Sequence, residues 1–207
     1  MKQYIAPLYE IKLPAPKESI VALESWHWEG DKVYRPRVKA SLVAAKRSGI
    51  FVEMSCWDRK MASVYTERDD PVYEDSCLEF FIAAKPGDPR YINIEVNPNG
   101  VYLSQFGEAR ENRIFLKEIT ELAPRVHAIS FLKPRWKVYI DLTLELLKAL
   151  YGEDYDFYDG QVMRGNFYKC GDKTKIPHWG AWSPVTTTPP GFHNPACFGE
   201  IILTEVK

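Results

Sequence analysis

Cys77-Leu78-Glu79-Phe80-Phe81-Ile82, followed after a short break by Tyr91-Ile92-Asn93-Ile94-Glu95-Val96-Asn97-Pro98-Asn99-Gly100, alternates side-chain character one residue at a time. Successive side chains of a strand point to opposite faces, so Leu78, Phe80 and Ile82 oppose Cys77, Glu79 and Phe81. In the same way Ile92, Ile94 and Val96 oppose Tyr91, Asn93, Glu95 and Asn97. One face is greasy and the other carries amides and carboxylates, which is where ligand chemistry can sit. Pro98-Asn99-Gly100 reads as the turn of a hairpin leading into a further strand over 101–106.

The same period of two recurs outward from this hairpin. Val38, Ala40, Leu42 and Ala44 form one such set and Ile50, Val52, Met54 and Cys56 another, with further strands predicted over 126–131, 136–142, 163–169 and 198–203. A helix follows Thr143, with Leu144, Leu147 and Leu150 on one side and Gly152 placed to end it. The expectation is an all-β fold, a two-sheet antiparallel β-sandwich of jelly-roll type with one short helix near 143–151. At 207 residues the chain is read as a single domain spanning 1–207. Ser183 to Pro195, with four prolines and three consecutive threonines, reads as a long ordered loop lying on the sandwich.

Lys and Arg number 27 against 28 Asp and Glu, a formal charge of −1, so there is no field to draw in nucleic acid or an anionic membrane. No apolar run approaches the ~18 residues needed to cross a bilayer. The N-terminal stretch is broken by Pro7, Lys12, Pro14 and Pro16 and has no signal-peptide core, so a cytoplasmic location is expected, or secretion if a leader has been removed. Cys56, Cys77, Cys170 and Cys197 show no C-x-x-C spacing, and reduced, buried thiols are expected. Trp26, Trp28, Trp57 and Trp136 are assigned to packing. Aromatic residues make up 14% of the chain, which is more than a core of this size needs, so some rings should face something other than protein.

Motifs for serine hydrolases, nucleotide loops and zinc proteases are absent. Glycosidase chemistry needs two carboxyls ~5–9.5 Å apart. Asp75 and Glu79, four residues along one strand, would be ~13 Å apart and too wide. Glu79 and Glu95, on neighbouring strands, are the better enzymatic pair; two hydrogen-bonding carboxylates in a binding face are the alternative and the favoured reading. His178 and His193, even with Cys170 or Asp172, lack ligand spacing, so no metal site is assigned to them and structural histidines are expected.

Two long segments carry a resemblance. The first is 72–82 with 91–97 and 107–110; the second is Arg164-Gly165-Asn166-Phe167-Tyr168-Lys169-Cys170-Gly171-Asp172 with Pro177-His178, Ala181-Trp182-Ser183-Pro184, Phe192-His193-Asn194-Pro195 and Phe198-Gly199. In this order they resemble the two halves of the family 9 carbohydrate-binding modules, and most of all the stand-alone, family 9-like group. The resemblance implies a sugar, often a chain end, clamped between two aromatic rings. One ring stands six positions before the strand glutamate, which is Tyr73 here where the better-studied branch has Trp; the other, near the end of the domain, is Trp182. A pyranose offers a C–H face to such rings and hydroxyls to carboxylate, amide and guanidinium groups. Glu79, Asn93, Arg110, Arg164 and Asn166 are the candidates for the hydroxyls, with Trp179 as a rim residue.

The expected function is therefore non-catalytic binding of a mono- or oligosaccharide in support of carbohydrate catabolism, with no catalytic residue assigned. The alternatives are a glycoside hydrolase using Glu79 and Glu95, or an interaction module on the same fold. No motif demands a cofactor. Calcium is the one ion the resemblance raises, with Glu67, Asp69, Asp70, Glu74 and Asp75 as an acidic turn able to offer oxygens; a solvated acidic loop is the alternative.

Overall fold

The computed structural model describes residues 2–26, 34–131, 134–187 and 191–206. Trp28, Thr188, Pro189 and Pro190, named above for packing and for the long loop, lie outside the described residues. The described chain forms β1 (Gln3–Tyr9), β2 (Val21–Ala22), β3 (Ser25–Trp26), β4 (Arg37–Ala45), β5 (Gly49–Trp57), β6 (Cys77–Ala83) and β7 (Tyr91–Val96). It continues with β8 (Tyr102–Gly107), β9 (Ile114–Phe115), α1 (Leu116–Ile119), β10 (Arg125–Ser130), β11 (Arg135–Thr143), α2 (Leu144–Tyr151), β12 (Val162–Cys170), β13 (Trp179–Ala181) and β14 (Gly199–Glu205).

The fold is all-β. The period-two segments become β4 to β8, β10 to β12 and β14 within a residue or two of the expected bounds, and α2 follows Thr143 as expected. Thr143 Oγ1 accepts a hydrogen bond from Leu146 N at 3.2 Å, capping the first turn, and Gly152 ends the helix at φ 110, a conformation that glycine adopts without strain. Replacing Thr143 with Ala is expected to cost about 1 kcal/mol in chemical denaturation with the cooperativity unchanged.

The expectation of purely antiparallel pairing is corrected. Hydrogen bonding runs without a break through β10-β11-β5-β4-β1-β14-β12-β6-β7-β8-β9, and β1 lies parallel to both of its neighbours, β4 and β14. The result is one curled, mixed sheet. The reason is that β1, which contains Pro7, is unreadable as a strand by alternation, because proline contributes no N–H to a ladder. Inserted between β4 and β14, it joins layers that a sandwich keeps apart.

The greasy alternation does build the core. Val38, Leu42, Val52, Met54, Trp136, Val138 and Ile140 of one half are buried together with Leu78, Phe80, Ile82, Ile92, Ile94, Phe167 and Ile201 of the other. Of the tryptophans assigned to packing, Trp136 is fully buried. Trp57 ends β5, paired with Arg37 and Arg135, whose guanidiniums lie over its ring, and the Trp26 ring lies so close to Gly180 that a Cβ there would come within 2.7 Å of it.

The opposite face of β6 and β7 is where pattern and structure diverge usefully. All six residues of β7 are buried, and so are the first six of β6, so the polar face is roofed rather than solvated. The roof comes from the loop beyond β13: Phe192 stacks on Tyr168 at 4.0 Å, its carbonyl accepts from the Tyr168 hydroxyl at 3.1 Å, and His193 stacks on Phe81 at 4.7 Å. Among the described residues no helix is long and apolar enough to cross a membrane.

Candidate functional site

Between that roof and the polar face lies a cavity of about 820 Å³. Its floor is Glu79 on β6 and Glu95 on β7, which stand directly opposite each other across the antiparallel ladder. Its walls are aromatic: Tyr73 from the 3-10 turn Val72–Glu74, Trp179 at the start of β13, Phe115 of β9, and Phe192 from the loop. Arg110 and Arg113 enter from the connection between β8 and β9.

Each wall is fixed by a traceable contact. The Tyr73 carbonyl accepts from Asp172 N at 3.1 Å, tying its turn to the connection after β12, while the residue as a whole is 39% exposed. Trp179 Nε1 donates to Asp172 Oδ1 at 2.6 Å, which sets the plane of the indole. Arg113 Nη1 donates to Asn93 Oδ1 at 2.9 Å, and Asn93 Nδ2 donates onward to Glu95 Oε1 at 3.0 Å, so a buried relay orients one floor carboxyl.

Burial sets the electrostatics. It pushes the Glu79 carboxyl well above its ordinary range, with the Glu95 charge adding to the effect. Burial also raises Glu95, to about 7, against the pull of the Arg113 charge and the Asn93 hydrogen bond. His193, with Nε2 at 3.9 Å from Glu95 Oε1, is driven down to about 3 by burial and by Arg113 and Arg110, so it stays neutral. The floor thus offers carboxyls that can both donate and accept hydrogen bonds near neutral pH.

Of the residues predicted from sequence, Tyr73, Glu79, Arg110 and Trp179 line this cavity. Asn93 supports it from beneath, fully buried. Trp182 does not line this cavity. Only 1% exposed, it packs edge-on against Tyr4 and Phe167 in the core and reaches only a second cavity, of about 660 Å³, on another side of β12. Trp182 N donates to Phe167 O just past the end of β13, and residues three apart along extended chain, as Trp179 and Trp182 are, face opposite sides. Asn166 does not line it either; its amide is consumed by the loop, donating to Ser183 O at 2.9 Å and accepting from Ser183 N at 2.8 Å. Arg164 sits between Ala83 and Glu200 at the far end of β12, outside the cavity lining.

Phe115, Phe192, Arg113 and Asp172 were not singled out as ligand-facing residues. No spacing rule marks them; they meet only because the β8–β9 connection and the proline-rich loop close over one face. All four cysteines are free and buried.

Calcium, the ion raised for the acidic turn, takes six to eight oxygens. Asp75 already accepts from the N–H groups of Val64 and Tyr65 and from the Asn97 amide. Asp69 pairs with Lys117 at 2.7 Å, and Glu74 is held by Lys173 and the Tyr65 hydroxyl. These carboxylates are occupied by donors of the protein itself.

Comparison with known proteins agrees with the architecture. No curated protein matches the chain. Among solved structures, a candidate carbohydrate-binding protein from Bacteroides uniformis superposes with a TM-score of 0.79 at 26% identity, covering 98% of this chain and 99% of that one. A family 9 carbohydrate-binding module from Caldicellulosiruptor kristjanssonii, solved with cellotriose, gives 0.70 at 13% identity over 100% of this chain and 95% of that one. A structure of a family 9 module from the same organism with glucose gives 0.69 at 13% identity, covering 100% and 97%. These last two speak for the fold. The sequence model of carbohydrate-binding family 9 matches residues 9–203, nearly the whole length, and the chain belongs to that family.

Proposed function

We propose that the protein binds a mono- or oligosaccharide, without cleaving it, in the cavity floored by Glu79 and Glu95 and walled by Tyr73 and Trp179. The setting is a sheet whose two halves face each other like the layers of a sandwich. What carries the reading is the pairing of a carboxyl floor with partly exposed aromatic walls in one cavity. A sugar hydroxyl both donates and accepts, and carboxyls raised by burial answer both needs, while the rings take the apolar C–H face. Family membership supports the same conclusion, and the cellotriose and glucose complexes of the Caldicellulosiruptor modules make gluco-configured ligands the first to try.

Binding is favoured over hydrolysis by geometry. Glu79 and Glu95 rise from adjacent strands of one floor, whereas a glycosidase needs its two carboxyls on either side of the scissile bond. Isothermal titration against gluco-, xylo-, manno- and galacto-configured mono- and oligosaccharides is expected to give saturable binding in at least one series, weakened on the order of tenfold to a hundredfold in Trp179→Ala. Silence across all four series overturns the reading. Chromogenic glycosides are expected to stay intact; turnover that vanishes in Glu79→Gln would replace binding with hydrolysis.

A further inference from the structure

The floor of the cavity holds a second chemistry. Cys77 and Glu79 are two residues apart on β6 and so project from the same face, and Cys170 of β12 stands directly opposite Cys77 in the ladder. The two sulfurs and a Glu79 carboxylate oxygen all lie within 4.8 Å of one another, and all three residues are buried. The thiols already interact with one another and Cys170 with the Glu79 carboxyl, and beyond the cluster Cys170 Sγ is 3.3 Å from the Tyr73 carbonyl and Cys77 Sγ 3.8 Å from the Leu78 carbonyl. Cys170 and Glu79 also line the 820 Å³ cavity, so the cluster is reached from solvent on one side and closed on the other.

We propose that Cys77, Glu79 and Cys170 form a binding site for a thiophilic divalent metal ion, zinc by preference, with its fourth coordination position open to the cavity. Two sulfurs and one carboxylate are the wrong set for calcium or magnesium, which take oxygen throughout, and the right set for a tetrahedral ion indifferent to d-electron geometry. Zinc–sulfur bonds of ~2.3 Å place ligand atoms roughly 3.5–3.8 Å apart in a tetrahedron, a contraction within reach of side-chain rotation on two strands already in register. On binding, both S–H bonds and the Glu79 carboxyl O–H bond break, the two thiolates and the carboxylate donate to the metal, and the three protons pass to water; no oxidant or reductant takes part. Three protein ligands and one open position is the arrangement of zinc sites that accept an exogenous ligand. The site does not depend on the sugar-binding reading, although a metal held by Glu79 would compete with a sugar hydroxyl for that carboxylate.

The test uses the full chain, freed of metal and kept reduced with a phosphine, and contains no sugar. Titration with Co²⁺ is expected to saturate at one equivalent with the intense visible bands of tetrahedral cobalt and a near-ultraviolet thiolate-to-cobalt band, both erased by Zn²⁺. Both signals should be lost in Cys170→Ser and kept in Cys197→Ser, whose thiol lies outside the cluster. X-ray absorption on the zinc-loaded parent protein needs no variant and should show sulfur at ~2.3 Å. A spectrum without sulfur neighbours, or a cobalt band that survives Cys170→Ser, overturns the proposal. Sugar titrations run with chelator present report on saccharide binding alone, so the two readings can fail separately.

Discussion

Trp182→Ala is expected to melt roughly 6–20 °C below the parent protein, while Trp179→Ala and Tyr73→Ala melt close to it and lose sugar binding instead. The three rings belong to two environments. Trp182 is 1% exposed and wedged between Tyr4 and Phe167, with ring centroids at 6.1 and 5.9 Å, and a Cβ added at Gly199 would come within 2.4 Å of its ring. Truncating such a side chain leaves a sealed cavity and costs roughly 3–5 kcal/mol. In a chain of this length each kcal/mol is worth roughly 2–4 °C. Tyr73 and Trp179 line an open cavity, so their removal exposes existing surface to water and leaves no void. What they take away is a stacking face worth roughly 1–3 kcal/mol to a bound pyranose, on the order of tenfold to a hundredfold in affinity. Calorimetric melting of the three variants, paired with titration against the best sugar of the panel, separates the cases. A Trp182→Ala protein that melts normally yet no longer binds would return Trp182 to the site and remove Trp179 from it.

From sequence Trp182 is the clamping ring and Trp179 a rim residue, whereas in the structure Trp179 lines the cavity and Trp182 is buried. Both lie within four residues of each other next to a proline-rich loop, and both are compatible with exposure there. What distinguishes them is that β13 starts at Trp179 and ends at Ala181, so Trp179 sits opposite Cys170 on the cavity face and Trp182 has already turned into the core. A three-residue strand carries too little periodicity to reveal its register. The long strands do carry it. Leu78, Phe80, Ile82, Ile92 and Ile94 lie in the core as their alternation requires, and Glu79 and Glu95 lie on the other face together.

What alternation leaves open is what covers a polar face. Asn93, Glu95 and Asn97 read as a face for ligand chemistry; in the structure His193 of the loop beyond β13 comes within 3.9 Å of Glu95, while Asn97 is held by the Tyr65 carbonyl and Asp75. The same histidine meets the Tyr91 hydroxyl across 102 residues of sequence, and no local pattern encodes that contact. The same long-range closure brings in Arg113, whose guanidinium reaches Asn93 from a turn 20 residues away. The parallel pairing of β1 escapes for a related reason: its partners β4 and β14 sit near opposite ends of the sequence, and the choice between parallel and antiparallel neighbours is not written in side-chain period.

Lys169→Met is expected to destabilise the protein by roughly 3–5 kcal/mol, and to move His178 upward in pKa. Lys169 is fully buried, 3.3 Å from Asp58 Oδ2. Its ammonium also donates to the Cys170 carbonyl at 2.6 Å and to His178 Nε2 at 2.7 Å, so all three protons have partners. Burial works against the Asp58 charge, but Lys169 and hydrogen bonds from Tyr34 and Ser76 outweigh it and hold the carboxyl below its usual range. Removing the lysine strands that carboxylate in the interior, which is why the loss exceeds anything a surface pair would show. His178 reports on the same charge. It donates from Nδ1 to the Ile176 carbonyl and accepts at Nε2, and burial together with the Lys169 charge drives it down to about 4. Because the folded value lies below the unfolded one near 6.5, the unfolded chain takes up the proton first, and this histidine withdraws stability as pH falls from about 6.5 toward 4. Without Lys169 the imidazole can protonate beside Asp58, so its titration, followed by its ring proton resonance, should shift up and that source of acid sensitivity should shrink. Pairing Lys169→Met with Asp58→Leu should recover part of the lost stability, since the stranded charge goes with its partner. A double variant no better than the sum of its single variants would mean that the two side chains are not coupled, and that the ion pair does not organise this end of the sheet.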